Sequence, residues 1–299
     1  MTKIRKLESV FILAGIFLVC SCSPKQVRTV QIAFDNACTL EQQKIAYEVI
    51  NKRVAVWGVK EKTDLTDGKF DLSYVVGKQH NSNSDTLLVQ ILTERGEIYI
   101  TEIYQQNEIQ SPRDRVYERL FSLVENAEHY PKWRMDGLQI NTPDLIKVPF
   151  EQVSFIDSVF NSFLRIFPVG ISLAWTAKPD REDFFALLPL KTLHKFPLNP
   201  NTVKKSNIQN YDGRQELSIE LHKEYAEEWA KMTRNNIDRN LAIVMDGKVL
   251  MYPRVSSEIV GGKLSITGDF DNNEFALMKS IILGGVLECK VQIINKETK

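Results

Sequence analysis

Apolar residues recur along the chain with two different periods. Val30, Ile32 and Phe34 alternate with Gln31 and Ala33, which predicts a strand. Phe70, Leu72, Tyr74 and Val76 repeat that period of two after an Asp67-Gly68 turn. Between them Thr39 to Gln42 has the form of a capping box, and Ile45, Val49, Ile50 and Val54 fall at helical spacing before Gly58. Leu87, Val89 and Ile91 alternate again and predict a further strand, turned at Arg95-Gly96 toward a partner at Ile98 to Tyr104. The chain therefore begins β-α-β-β-β.

Ser111-Pro112 opens a second helix, with Val116, Leu120, Phe121 and Val124 on its apolar face. From Tyr130 to Tyr211 the periodicity is weaker. It predicts a helix over 153–167, a strand over 170–175, a short helix over 180–188 and a loop over 199–211. Order returns with Leu217, Ile219 and Leu221 in alternation, then a helix that sets Tyr225, Trp229 and Met232 on one face. LAIVMDGKVLMYPRV follows from Leu241, two apolar runs hinged on Asp246-Gly247, a strong hairpin signal because Gly takes positive φ at little cost. A strand over 264–267, a helix capped by Asp271 or Asn272 and ended by Gly284-Gly285, and a closing strand from Val286 to Ile294 complete the pattern.

The beginning of the chain has a different character. MTKIRKLES is short and basic, and VFILAGIFLV is an apolar run too short for a stable membrane anchor. Together they read as a secretory signal peptide over residues 1–21. The run ends in Val19-Cys20-Ser21-Cys22, the pattern of a bacterial lipoprotein signal, with Cys22 as the lipidated residue; Cys20 fits less well because bulky Val19 would precede the cut. The expected location is the bacterial cell envelope, lipid-anchored and facing the periplasm. Lys plus Arg and Asp plus Glu each number 38, so the chain carries no basic footprint for a nucleic acid. Export places Cys38 and Cys289 where they can pair, if the strands beside them are neighbours; otherwise they are two buried thiols.

Catalytic patterns are missing. The sequence has no GxSxG elbow, P-loop, HExxH or dinucleotide fingerprint, and His80, His129, His194 and His222 are scattered. The expectation is a protein that is not an enzyme and holds no cofactor and no metal. Gly261-Gly262 reads as a turn or bulge, and Asp269, Asp271 and Glu274 read as a helix cap, since they lack the central Gly and terminal acid of a calcium loop.

One stretch carries more than local structure. Thr233, Asn236, Arg239, Ala242-Ile243-Val244, Asp246-Gly247, Val249, Pro253, Ile259, Gly261-Gly262, Ile266-Thr267-Gly268, Phe270, Gly285 and Leu287 occur in an order that resembles the periplasmic first domain of SecD, the accessory subunit of the Sec protein translocase. A second match, Ile50-Asn51-Lys52-Arg53-Val54 followed by Gly58-Val59-Lys60-Glu61, lies in the same order as in that family. The resemblance implies an α+β protein with a ferredoxin-like base and an inserted α+β head. It sets residues 22–110 as the first part of the base and 111–285 as the head, including the less regular 130–211. Residues 286–299 are then the closing strand of the base and the tail. Thr233, Arg239, Asp246, Gly247, Pro253, Gly261, Gly262 and Gly268 would be structural positions of the family motif.

In the family this domain meets translocating polypeptide on the outer face of the membrane. The reading departs from SecD in expecting no membrane helices, and Glu288 stands where the family has a Pro. The implied function is a non-catalytic, lipid-anchored envelope protein that binds polypeptides and assists protein export or their handling after translocation. Its partners would be the membrane, through the N-terminal lipid, polypeptide substrates, and Sec translocon subunits. The alternative is a structural component of an envelope complex that binds one folded partner.

Overall fold

The computed structural model describes residues 26–57, 61–62, 65–76, 82–124 and 142–298. Strand β1 (Gln26–Phe34) leads through the Thr39–Gln42 box into helix α1 (Leu40–Trp57). The box is made in both directions, Gln42 N–H to Thr39 Oγ1 at 3.2 Å and Thr39 N–H to Gln42 Oε1 at 2.8 Å. The short β2 (Glu61–Lys62), β3 (Lys69–Val76) and helix α2 (Ser82–Thr93) follow. Next come β4 (Ile98–Glu102), α3 (Gln110–Val124), β5 (Ile146–Pro149), α4 (Phe150–Ser162), β6 (Ile171–Trp175), β7 (Phe184–Lys191) and β8 (Phe196–Pro197). The chain closes with β9 (Val203–Tyr211), β10 (Arg214–Leu221), α5 (Ala226–Asn235), β11 (Leu241–Met245), β12 (Lys248–Met251), β13 (Lys263–Ile266), α6 (Asn272–Gly284) and β14 (Val291–Thr298).

One sheet runs β14-β1-β3-β2, with every neighbouring pair antiparallel. With α1 between the first two of these strands in the chain and α2 after the third, this is the ferredoxin-like βαββαβ order. The closing strand β14 arrives only after residues 94–290 have been inserted. Among the described residues the inserted part holds three more sheets, β12-β11-β4-β8, β13-β10-β9 and β5-β7-β6.

The expected β-α-β-β-β opening is corrected to β-α-β-β-α-β. Leu87, Val89 and Ile91 lie on helix α2, not on a strand. Leu87, Leu88, Ile91 and Leu92 are all buried, a helical stripe that happens to contain an alternating triplet. Strand β4 pairs instead with β11 and β8. The helix expected over 180–188 is a turn followed by β7. Asp180 Oδ1 accepts the N–H groups of Glu182 and Phe184, at 3.0 and 3.1 Å. β7 then runs apolar on both faces, a pattern that periodicity alone cannot tell from a buried helix. The loop expected over 199–211 is mostly β9, whose polar residues pair with β10. Two residues placed on apolar faces, Ile45 and Phe121, are exposed; Ala46 and Tyr117 are buried beside them.

The double burial of β7 reflects its place between layers. Leu187 packs with α3 and α4 in one cluster, where Val116, Leu120, Ile156 and Phe160 are buried. Ala186, Leu188 and Leu190 face the other way, against Tyr99, Ala242, Val244 and Val249 of β4, β11 and β12. The largest core joins the β14-β1-β3 sheet, α1, α2 and α6 to the far side of β4 and β11 and to the β13-β10-β9 sheet. Helix α6 packs on α1, α2 and β9, so it ties the ferredoxin-like unit to the insertion.

Candidate functional site

Two places gather the side chains that the sequence singles out. The first is a joint around Arg53, which projects from α1 and is completely buried. Its Nε and Nη2 donate to Gly285 O at 3.0 and 2.6 Å, its Nη1 to Ile91 O at 3.1 Å and Glu94 O at 2.7 Å, and its Nη2 also to Arg95 O at 2.7 Å. These carbonyls lie where α2 and α6 end, and helix ends leave carbonyls without partners. A planar guanidinium with donors in a fixed fork can satisfy several at once. Burial pulls the Arg53 guanidinium down to about 10, against the raising effect of Asp246 and Glu94, so it stays charged at neutral pH.

Asp246 completes the joint. Its turn has φ of 47° at Asp246 and 80° at Gly247, the hairpin geometry expected of Asp-Gly. Its carboxylate also reaches 150 residues back, accepting Gly96 N–H at 2.9 Å and Glu97 N–H at 2.8 Å. The hairpin tip is thereby pinned to the start of β4. The fit leaves no room for side chains: a Cβ on Gly96 would lie 2.3 Å from Arg53 Nη2, and one on Gly284 would lie 2.2 Å from Arg53 Cγ.

The remaining motif residues hold the surrounding turns. Thr233 Oγ1 accepts Ile259 N–H at 2.9 Å and donates to Ala230 O at 3.0 Å. Arg239 O accepts Val255 N–H, Pro253 O accepts Leu241 N–H, and Gly262 O accepts Leu221 N–H. Gly261 and Gly262 form a turn at φ of 80° and 66°, as the sequence suggested. Cys38 and Cys289 form a disulfide with Cα atoms 6.0 Å apart, because β1 and β14 are neighbours. Cys22 lies outside the described residues.

The second place is an open cleft, with no direct sign in the sequence. It consists of two adjoining hollows of about 370 and 220 Å³. Thr86, Leu87 and Gln90 of α2 line the larger one, together with Met245 and Leu250 of the hairpin and Leu277 and Met278 of α6. Lys147, Asp180, Phe184, Met251 and Tyr252 line the smaller one. Lys178, Leu250 and Phe270 border both. Gly268, a motif residue, has φ of 147° and lies where an added Cβ would come within 2.9 Å of the Phe270 ring, so the glycine lets this ring fold back into the cleft wall. Phe270 rests edge-on against buried Phe275, centroids 5.6 Å apart. The signal available in the sequence was the methionines of the hairpin and α6, since flexible thioethers suit adaptable binding surfaces.

Charge sits at the rim. Asp180 faces Lys147 at 3.5 Å. Burial raises the Asp180 carboxyl, but the Glu182 and Phe184 N–H groups and Lys147 outweigh it and hold it below the usual carboxylate range. Burial pushes the Tyr252 phenol up, aided by nearby Asp144. Among the described residues no three His, Cys, Asp or Glu side chains are grouped to hold a metal ion.

Comparison with known proteins places this geometry. Residues 198–289 match the family model for the SecDF P1 head subdomain. Protein translocase subunit SecD of Acidaminococcus fermentans is 34% identical over 86 residues, which are 29% of this chain and 21% of that protein. SecD of Rhodothermus marinus is 29% identical over 139 residues, 44% of this chain and 22% of that protein. SecD of Dictyoglomus turgidum is 24% identical over 210 residues, 68% of this chain and 47% of that protein. The chain thus spans about a fifth of the length of the first two. A crystal structure of SecDF in its super-membrane-facing form aligns with 91% of this chain and 30% of its own, at TM-score 0.52 and 16% identity, which shows a shared fold. Among the described residues no helix is long and apolar enough to cross a membrane.

Proposed function

We propose that this chain is a SecD-like envelope protein that binds extended polypeptide segments in the cleft between α2, the β11–β12 hairpin and α6. It would assist their export, or their handling after translocation. The observation that carries the reading is the cleft itself: open, lined with methionine, leucine and phenylalanine, and built largely from the region similar to the SecDF P1 head. Apolar grooves of this kind take peptides by side-chain burial and need no catalytic group. Binding is the whole activity in this reading.

The reading extends to organisation and location. The ferredoxin-like unit, to which the sequence assigned residues 22–110 and 286–299, acts as a base and the insertion that begins after α2 as a head, with the Arg53–Asp246 joint at their seam. A lipid on Cys22 holds the base at the membrane, facing the periplasm, within reach of Sec translocon subunits. Mass analysis of the membrane-extracted protein tests the lipid: a diacylglyceryl mass on Cys22 is expected, and a chain that begins elsewhere without one would remove the anchor. For binding, the purified chain should retain a permanently unfolded, reduced and alkylated protein, and Leu250→Asp should weaken that retention about tenfold or more. Equal retention by both proteins would place binding elsewhere. Retention of one folded envelope protein and no unfolded chain would favour the structural alternative.

A further inference from the structure

Given that reading of the cleft, we propose that Lys178 determines how long a segment the cleft admits. The hollows share three bordering residues, Lys178, Leu250 and Phe270. Lys178 leaves the backbone beside β12, where Ala177 N–H donates to Val249 O at 2.8 Å. Its side chain ends at the opposite rim. Lys178 Nζ donates to Glu274 Oε2 and to Asp269 O, both at 2.7 Å, and lies 5.2 Å from the centroid of the Phe270 ring. A side chain fixed at both rims, over a ring that borders both hollows, is a strap across the cleft.

The strap is weakly held. The Lys178 and Glu274 side chains are 45% and 36% exposed, so water and salt screen their attraction. Its displacement would join the face formed by Leu87 and Met245 to the face formed by Phe184 and Tyr252, above the Leu250 and Phe270 side chains that border both hollows. An extended chain advances about 3.3 Å per residue, so a short segment occupies one hollow and a longer one must displace the strap. Glu274 has a second duty, accepting Asp271 N–H at 2.8 Å in the capping box of α6. Gln serves equally well at that position of a capping box, which allows the ion pair to be removed without uncapping the helix.

The test uses two fluorescent, capped peptides of alternating Leu and Ser, about four and about eight residues long, with binding to the disulfide-bonded full chain read by anisotropy. Lys178→Ala should tighten binding of the longer peptide about fivefold and leave the shorter unchanged. Glu274→Gln and added salt should move the longer peptide in the same direction, and Lys178→Arg should restore the original ratio. If the native chain binds both peptides and Lys178→Ala leaves their affinity ratio unchanged, the strap has no role and the cleft reading stands. If neither the native chain nor Lys178→Ala binds either peptide, the cleft reading falls and this inference falls with it.

Discussion

Arg53 is itself fully buried and satisfies four backbone carbonyls at once, those of Ile91 and Gly285 in buried contacts and those of Glu94 and Arg95 in partly buried ones. Arg53→Ala removes all of these donors; Arg95 O keeps the Leu287 N–H, and each buried carbonyl left without a partner costs about 1–3 kcal/mol. We expect a loss of about 3 kcal/mol or more in urea unfolding, and a loss below about 1 kcal/mol would mean that water replaces the guanidinium. Glu108 gives a prediction in pH. Burial raises its carboxyl, but the Gln105 N–H and Lys191 outweigh that effect, so its folded-state value lies below the ordinary 4.5. Stability from this group is therefore in place above about pH 4.5 and is lost as the pH falls through the lower folded value. Glu108→Gln should reduce the melting temperature at neutral pH and converge with the native chain in acid; a constant offset at all pH values would contradict this. The sequence marked Arg53 only as part of a motif. Its partners lie 38 to 232 residues away, and no local period reports such a contact.

At the scale of elements, legibility followed local chemistry. The β11–β12 hairpin and the caps of α1 and α6 were readable because Asp-Gly, Thr-x-x-Gln and Asp-x-x-Glu act within a few residues. Helix α2 and strand β7 were misread because both are short apolar runs, and what distinguishes them is the number of faces that other layers cover. β9 was hidden for the opposite reason: its polar residues depend on β10 for pairing. The Cys38–Cys289 bond joins the loop after β1 to the segment before β14, across a separation of 251 residues. In the chain-entropy model a loop of that size contributes about 5.5 kcal/mol. Reduction, or Cys38→Ser with Cys289→Ser, should lower the melting temperature by about 10 °C. Two free thiols in the protein extracted under non-reducing conditions would remove the bridge from the account.

For the whole molecule, the base-like sheet with α1 and α2, α6, and the inserted sheets share one large core, while the cleft opens between α2, the hairpin and α6. The fold class was legible through the ordered motif in the later part of the chain. The cleft was not, because its walls come from five separate segments and its central lysine sits in the region of weakest periodicity. The proposed function therefore depends most on whether this surface meets unfolded chains. The most direct measurement is photocrosslinking in cells, with a photoreactive residue replacing Leu250 in the cleft and, as the comparison, Gln209 on the exposed β9. We expect Leu250 to capture a spread of exported polypeptides while Gln209 captures few. Equal capture at both positions, or a single folded envelope protein at Leu250, would contradict the account.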